Sequence, residues 1–299
     1  MKTVLCIGNA TWDQTFTVSD DQLQAAKCYA HAFTTNGGGV AATAAVAIAN
    51  WQAPVEFIGR VGADPIGDQI IEELIAHGVE VKNCLCYEQA KTSIATIVLS
   101  DDHSSKIFVF NDPNMPKDTS SLFALDLAEV SAVVADLTWP EGSKVLFERA
   151  RQQQIPTFLR VSFFDDRLLE LLTLADFCVF NHPSLLAMTS DINHKRALNK
   201  ASKRIGGTPV VTLGGRGCAW LHEGDYGELS AHPVKVLDTT GAGDIFIGIL
   251  ALHISRGASV ARAMEIANHT ASLSCEMMGA RELRASEAFQ QLIAENNAP

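Results

Sequence analysis

The sequence predicts a doubly wound α/β core that carries a small accessory β-sheet. Strands and helices alternate from residue 131 to about residue 215, as a parallel sheet with crossover helices requires. Four segments within the first 112 residues are β-rich and partly alternating, and three of them do not easily interleave with helices, so the four read as a small separate sheet. The chain from residue 241 onward is dominated by helical patterning.

Val4–Ile7 is an apolar run closed by Gly8 and reads as a buried strand. Gly37, Gly38 and Gly39 precede Val40–Trp51, whose alanines predict a closely packed helix, while the glycines leave backbone open to a ligand. VEFIGRVG, residues 55–62, returns as a strand. Over Ile66–His77, apolar residues at 70, 71, 74 and 75, with Gly78 as a C-cap, predict an amphipathic helix. The accessory segments are Asp13–Val18, Cys28–Thr35, Thr92–Leu99 and Lys106–Asn111.

Within the alternating region the strands are 131–137, 156–161, 176–180 and 209–212. The helices are Glu141–Gln153, 166–175 and a stretch that runs to Ile205. VKVL, residues 234–237, is expected as a further strand. The closing helices are expected at Ile245–Ser255, Val260–Met277 and Ala285–Glu295. Ligands of such folds collect at the C-terminal ends of the strands.

Composition excludes several classes of function. A formal net charge of −11 disfavours a grip on DNA or RNA, which needs clustered cations. The seven cysteines have no regular spacing and read as reduced packing thiols; Cys84-x-Cys86 lacks the second pair a zinc site needs. The N-terminal apolar run is too short for a signal peptide, and no stretch approaches the ~20 apolar residues of a membrane span. A soluble, cytoplasmic protein with no membrane partner is expected.

DTTGAGDIFIG, Asp238–Gly248, carries the most chemistry. Gly241, Ala242 and Gly243 open a helix whose free N–H groups and positive dipole end hold an anion, and Asp244 sits in its first turn. A carboxylate beside an anion hole fits phosphoryl transfer, with Asp244 taking the proton of an attacking hydroxyl. A helix-capping role for Asp244 is the plain alternative. GGGVAA lacks the G-x-G-x-x-G spacing of a dinucleotide loop and does not follow the first core strand, which disfavours an oxidoreductase.

Three ordered motifs, GNATWD (8–13), the stretch Asn36–Asp68 and DTTGAGDIFIG, resemble the PfkB/ribokinase family of carbohydrate kinases along the whole chain. The resemblance implies a ribokinase-like three-layered α/β/α core with a small β-sheet lid: one kinase domain over residues 1–299, with lid segments at about 12–35 and 90–112. It implies ATP as the phosphoryl donor, magnesium with it, and potassium in many members. Asp244 would be the base and Gly241, Ala242 and Gly243 the anion hole. Asp13, Gly37, Gly38 and Gly39 would contact the sugar, with Lys27 and Asn111 as lid residues reading anions or hydroxyls. Thr212, Gly214, Gly217, Asn268 and Gly279 would meet the nucleotide, and Asp238 and Thr240 a monovalent cation. A homodimer formed through the lid is the family expectation.

The chain departs from the family pattern in four places. GGGVAATAAVA, QAKTS and ADLTW resemble the sulfofructose kinase group, yet Thr138 stands where that group has Arg, which argues against a sulfosugar. Ala42 replaces an Asn usual in ribokinases, so that hydrogen bond to a ribose is missing. NHPS keeps Asn181 of an Asn-x-x-Glu motif linked to magnesium and phosphate, but puts Ser184 at the acid. Arg160 stands where many members have an Asp-containing turn, and reads either as a group for a phosphate or acidic substrate or as a partner of Asp165 or Asp166. Ser184 and Arg160 keep a second function in view, a non-catalytic sensor of sugar or nucleotide on the same fold.

Overall fold

A computed structural model of the chain describes residues 2–24, 27–100, 105–279 and 281–297. Parts of both expected lid segments, residues 25–26 and 101–104, lie outside the described residues.

Nine strands form the main sheet: β1 (Thr3–Gly8), β4 (Val55–Gly62), β5 (Leu85–Tyr87), β8 (Val130–Ala135), β9 (Thr157–Val161), β10 (Phe177–Asn181), β11 (Thr208–Thr212), β12 (Cys218–His222) and β13 (Asp225–Leu229). Their order is β13-β12-β11-β10-β9-β8-β1-β4-β5. All pairings are parallel except those of β12 with β11 and β13. The chain winds outward in opposite directions from β1 and from β8, so the topological switch point lies between their C-terminal ends, where α/β folds place ligands.

Helices cover both faces. One layer holds α1 (Val40–Asn50), α2 (Pro65–Ala76), α7 (Ala242–Ser255), α8 (Val260–Ser274) and α9 (Glu287–Asn297). The other holds α3 (Pro140–Gln152), α4 (Leu169–Leu174), α5 (His182–Thr189) and α6 (His194–Ser202). Each layer packs on its own apolar cluster, one centred on Trp51, Phe57 and Phe246, the other on Trp139, Phe147 and Phe180. The alanines of α1 let α7 come close: a Cβ added at Gly248 would lie 2.7 Å from the Ala44 carbonyl. The three-layered core is therefore as expected, with helix ends within a few residues of the sequence reading.

The lid is a four-stranded sheet in the order β3-β2-β6-β7, built from β2 (Thr11–Val18), β3 (Ala32–Gly38), β6 (Ile94–Ser100) and β7 (Ser105–Phe110). These are the four accessory segments, with shifted ends.

The structure corrects the expectation at three places. VKVL is not a strand. Its backbone faces α8 instead: the N–H of His232 donates to Ser272 Oγ, that of Lys235 to Glu276 Oε1, and those of Leu237 and Asp238 to the Cys275 carbonyl. With Lys235 and Leu237 bonded there, the segment forms no ladder, and α8 ends at Ser274 rather than Met277. The sequence reading also lacks the β12–β13 hairpin, whose two-residue turn Glu223-Gly224 has positive φ at both positions, as a type I′ turn requires.

Candidate active site

The first turn of α7 is the centre of the site. Gly241 is the N-cap with φ 75°, a left-handed conformation that glycine adopts at little cost. The helix packs against β8 and β9, so its positive end meets the C-terminal edge of the sheet near the switch point. Asp244 lies in that turn, with its side chain 20% exposed.

Three acidic side chains interact here. Asp136, just past β8, is buried and accepts hydrogen bonds from the N–H groups of Asn9 (3.0 Å), Ala41 (3.2 Å) and Thr138 (2.8 Å). It thereby ties the ends of β1 and β8 to the start of α1. Asp13, on β2, accepts from the Thr11 hydroxyl at 2.6 Å. Burial pushes the carboxyl of Asp244 up; Arg160 opposes this, and Asp136 and Asp13 reinforce it. Burial likewise raises Asp13, against the Thr11 hydrogen bond and Arg281, and raises Asp136 against its own donors.

Arg160 is the largest departure from the sequence reading. It does not pair with Asp165, which binds Arg167, or with Asp166, which binds Arg204. It reaches from β9 to Asp244, with Nε donating to Oδ1 at 3.2 Å and Nη1 to the Val179 carbonyl at 3.1 Å. The guanidinium lies against Gly243, expected in the anion hole, where an added Cβ would sit 2.2 Å from Nη2. The side chain is 8% exposed.

Two cavities open near this centre. The larger, about 590 Å³, is lined by Arg160, Thr212, Gly214, Gly217, Ala242, Gly243 and Asn268, and also by Ala231, His232, Pro233, Val234, Val236 and Thr239. It thus gathers four of the five expected nucleotide residues beside the first turn of α7. The fifth, Gly279, lies elsewhere, its N–H donating to Asp238 Oδ2 at 3.1 Å. The other oxygen of Asp238 accepts from the N–H of Thr240 at 2.9 Å, so the two residues expected at a monovalent cation are adjacent. Asn268 also donates to the Ser230 carbonyl at 2.7 Å, which holds the rim of the cavity to α8.

The second cavity, about 360 Å³, lies between the lid and the core and is lined by Asn9, Ser93, Asn111, Arg60, Lys117 and Thr138 among others. Asn9 donates to Asn111 across it at 3.3 Å. Gly37, Gly38 and Gly39 form its neighbouring hinge: a Cβ at Gly38 would collide with the Asp13 carboxylate, and one at Gly39 with the Asn9 carbonyl. Lys27 is not part of this group; it is exposed, with Nζ 4.9 Å from the Tyr29 ring centre.

Arg281, absent from the sequence reading, is fully embedded behind the hinge. It bonds Glu73 of α2, and its Nη2 donates to the Gly38 carbonyl at 2.7 Å. Ser184 is buried, its hydroxyl donating to the carbonyls of Val161 (2.6 Å) or Asn181 (3.0 Å), and so provides no carboxylate for a cation. Among the described residues, no group of three or more His, Cys, Asp or Glu side chains is placed to hold a metal ion. No helix among them is long and apolar enough to cross a membrane.

Residues 1–287 match the sequence pattern of the pfkB family carbohydrate kinase. The chain belongs to this family. It is 27% identical over 309 residues to an ATP-dependent ribose-1-phosphate kinase of Halopiger xanaduensis, with 99% of each chain covered. A bifunctional ribokinase/ribose-5-phosphate isomerase A of Fructilactobacillus sanfranciscensis is 26% identical over 295 residues, 94% of this chain. The chain spans about half the length of that relative, 54%. The structure of Arabidopsis thaliana ribokinase complexed with ribose and ATP superposes with a TM-score of 0.85 at 23% identity, covering 98% of both chains, and shows the shared fold. The ribokinase-like α/β fold of the pfkB carbohydrate kinases is thus the fold of this chain.

Proposed function

We propose that the chain is one ribokinase-like kinase domain that transfers the γ-phosphoryl group of ATP to a hydroxyl of a sugar or sugar derivative, with Asp244 as general base. One observation carries the reading: Asp244 and the Gly241–Gly243 turn stand beside a cavity lined by four residues of the expected nucleotide set, with the polar lid cavity close by. The name of the Halopiger relative supports ATP as donor and a sugar derivative as acceptor.

The nucleotide enters as its magnesium complex. The place of the family acid is held by Ser184, whose hydroxyl is committed to backbone carbonyls, so the chain offers no carboxylate there for the metal. Asp238 and Thr240 are the residues that would hold a monovalent cation such as potassium beside the anion hole. Asp13 and the glycine hinge orient the sugar. Asp244 receives the hydroxyl proton as the oxygen attacks phosphorus in line, and the α7 N–H groups stabilise the charge on the moving phosphoryl group.

The test is ATP consumption with magnesium and potassium against ribose, fructose, ribose 1-phosphate, nucleosides, sugar acids and sulfofructose. We expect turnover of at least one sugar, and an Asp244→Asn variant that binds ATP normally while kcat falls about 10²–10⁴-fold. An Asp244→Asn enzyme of full activity would refute the assignment of the base.

The Arg160–Asp244 pair favours one alternative, a sensor whose base is permanently neutralised. That protein would bind ATP and turn over no sugar in the panel.

The lid is read as a dimer surface. Phe33, Ile107, Phe108 and Val109 are 55–60% exposed, and β3 and β7 are sheet edges whose unpaired backbone groups invite a second copy. Light scattering should give twice the monomer mass. Seven cysteines with no regular spacing, read as reduced thiols, and the use of ATP support a cytoplasmic location.

A further inference from the structure

Among the described residues that line the 590 Å³ cavity, Arg160 is the one arginine or lysine. A nucleoside triphosphate brings several negative charges to this place, and a transition state concentrates charge on the transferred phosphoryl group. The cavity answers them with the N–H groups of α7 and this single fixed cation.

The bonding of Arg160 is unlike that of a purely structural arginine. A guanidinium can bind a carboxylate with two parallel N–H groups, but here only Nε reaches Asp244, at 3.2 Å. Nη1 is spent on the Val179 carbonyl at 3.1 Å. Nη2 lies against Gly243, so close that any side chain there would strike it. The third nitrogen of the fork is therefore aimed at the turn that forms the anion hole.

We propose that Arg160 is a catalytic residue, contacting the transferred phosphoryl group at the Gly241–Gly243 turn while holding Asp244 in place. The inference rests on the kinase reading above. In the step, the bond from phosphorus to the bridging oxygen of ADP breaks as the bond to the sugar oxygen forms. The sugar hydroxyl proton passes to Asp244, and Arg160 keeps all its protons. As Asp244 is neutralised, its attraction for the guanidinium weakens, and the positive charge becomes available to the phosphoryl oxygens at the moment they need it. A core arginine thus supplies local charge that Ser184 does not help to recruit through a metal.

The test compares wild type, Arg160→Met, Arg160→Lys, Asp244→Asn and the double variant Arg160→Met/Asp244→Asn, which removes both buried charges together. Calorimetry with Mg-AMP-PNP reads ground-state binding, and Mg-ADP with aluminium fluoride reads binding of the transition-state mimic. Turnover is followed with ribose and fructose. Arg160→Met should keep AMP-PNP affinity within about threefold while losing about 100-fold or more for the aluminium fluoride complex, and Arg160→Lys should recover part of that loss. The double variant should show the same selective loss relative to Asp244→Asn, which separates the effect from an unpaired buried charge. Equal losses for both ligands, or none, would reduce Arg160 to a structural partner of Asp244. A wild-type chain that turns over no sugar on the full panel refutes the kinase reading and the catalytic role of Arg160 with it, whereas an active wild type with equal losses for both ligands overturns the role of Arg160 alone.

Discussion

Arg160 and Asp244, 84 residues apart in sequence, share a 3.2 Å charge-assisted hydrogen bond between β9 and the first turn of α7. A candidate base and a buried cation thus set each other's charge, and the pair has a measurable pH signature. Burial raises the carboxyl of Asp244, with Asp136 and Asp13 adding to the rise, and Arg160 is the group that lowers it. In the proposed mechanism Asp244 acts as a carboxylate, so kcat/KM should climb with pH as it ionises, above the usual carboxylate range. Arg160→Met removes the lowering cause, and the acid limb should move to higher pH. A limb that stays in place, or moves down, would show that the two groups do not titrate together.

The proposed sugar side of the site rests on a close contact between Gly38 and Asp13. Gly38 touches the Asp13 carboxylate so tightly that Gly38→Ala must displace it. We expect KM for the sugar to rise about tenfold or more while KM for ATP changes little and the melting temperature stays near that of wild type. An equal rise in both constants would mean that the hinge does not serve the sugar alone.

Arg281 and Glu73 form an ion pair behind that hinge, 4% and 20% exposed respectively. Arg281→Ala leaves Glu73 with the His77 ring, 3.4 Å away, as its partner and releases the Gly38 carbonyl. Breaking a buried pair in this way costs about 3–5 kcal/mol, which urea unfolding would detect. The double change Arg281→Met/Glu73→Leu should restore much of it; failure to do so would place the stabilisation in packing rather than in charge.

His253 in α7 packs edge-on against Trp51, with ring centres 4.6 Å apart. Burial, with Arg256 and Arg262 nearby, pushes it down from 6.5 to about 4. Below pH 6.5 the unfolded chain takes up a proton that the folded chain refuses, so stability falls as the pH drops from 6.5 towards 4. The whole window is worth roughly 3 kcal/mol. His253→Leu should flatten this part of the stability curve, and an unchanged slope between pH 6.5 and 4 would assign the loss to other groups.

Where one short segment carried both halves of a feature, the sequence was readable. Asp244 and the glycine turn that opens its helix are contiguous, the glycines before Val40 adjoin the helix they open, and the four lid strands show their own β pattern. Reading failed where a local pattern was ambiguous or its partner was remote. The alternating VKVL reads as a strand, yet its N–H groups are taken by α8. The hairpin of β12 and β13 left a signal that could have found it, Glu223-Gly224 directly after the short apolar run of β12.

By itself, then, the sequence determined the alternation of strands and helices, the lid, and the acid placed in a glycine-opened helix turn, because periodicity, capping and backbone freedom act over a few neighbouring residues. Only the tertiary structure decided that Arg160 meets Asp244, that Asp136 ties Asn9 to Ala41, and that Arg281 braces Gly38. Those partners come from different strands and loops, and a buried charge settles on whichever opposite charge or carbonyl the packed sheet brings within reach, a choice that no local pattern encodes.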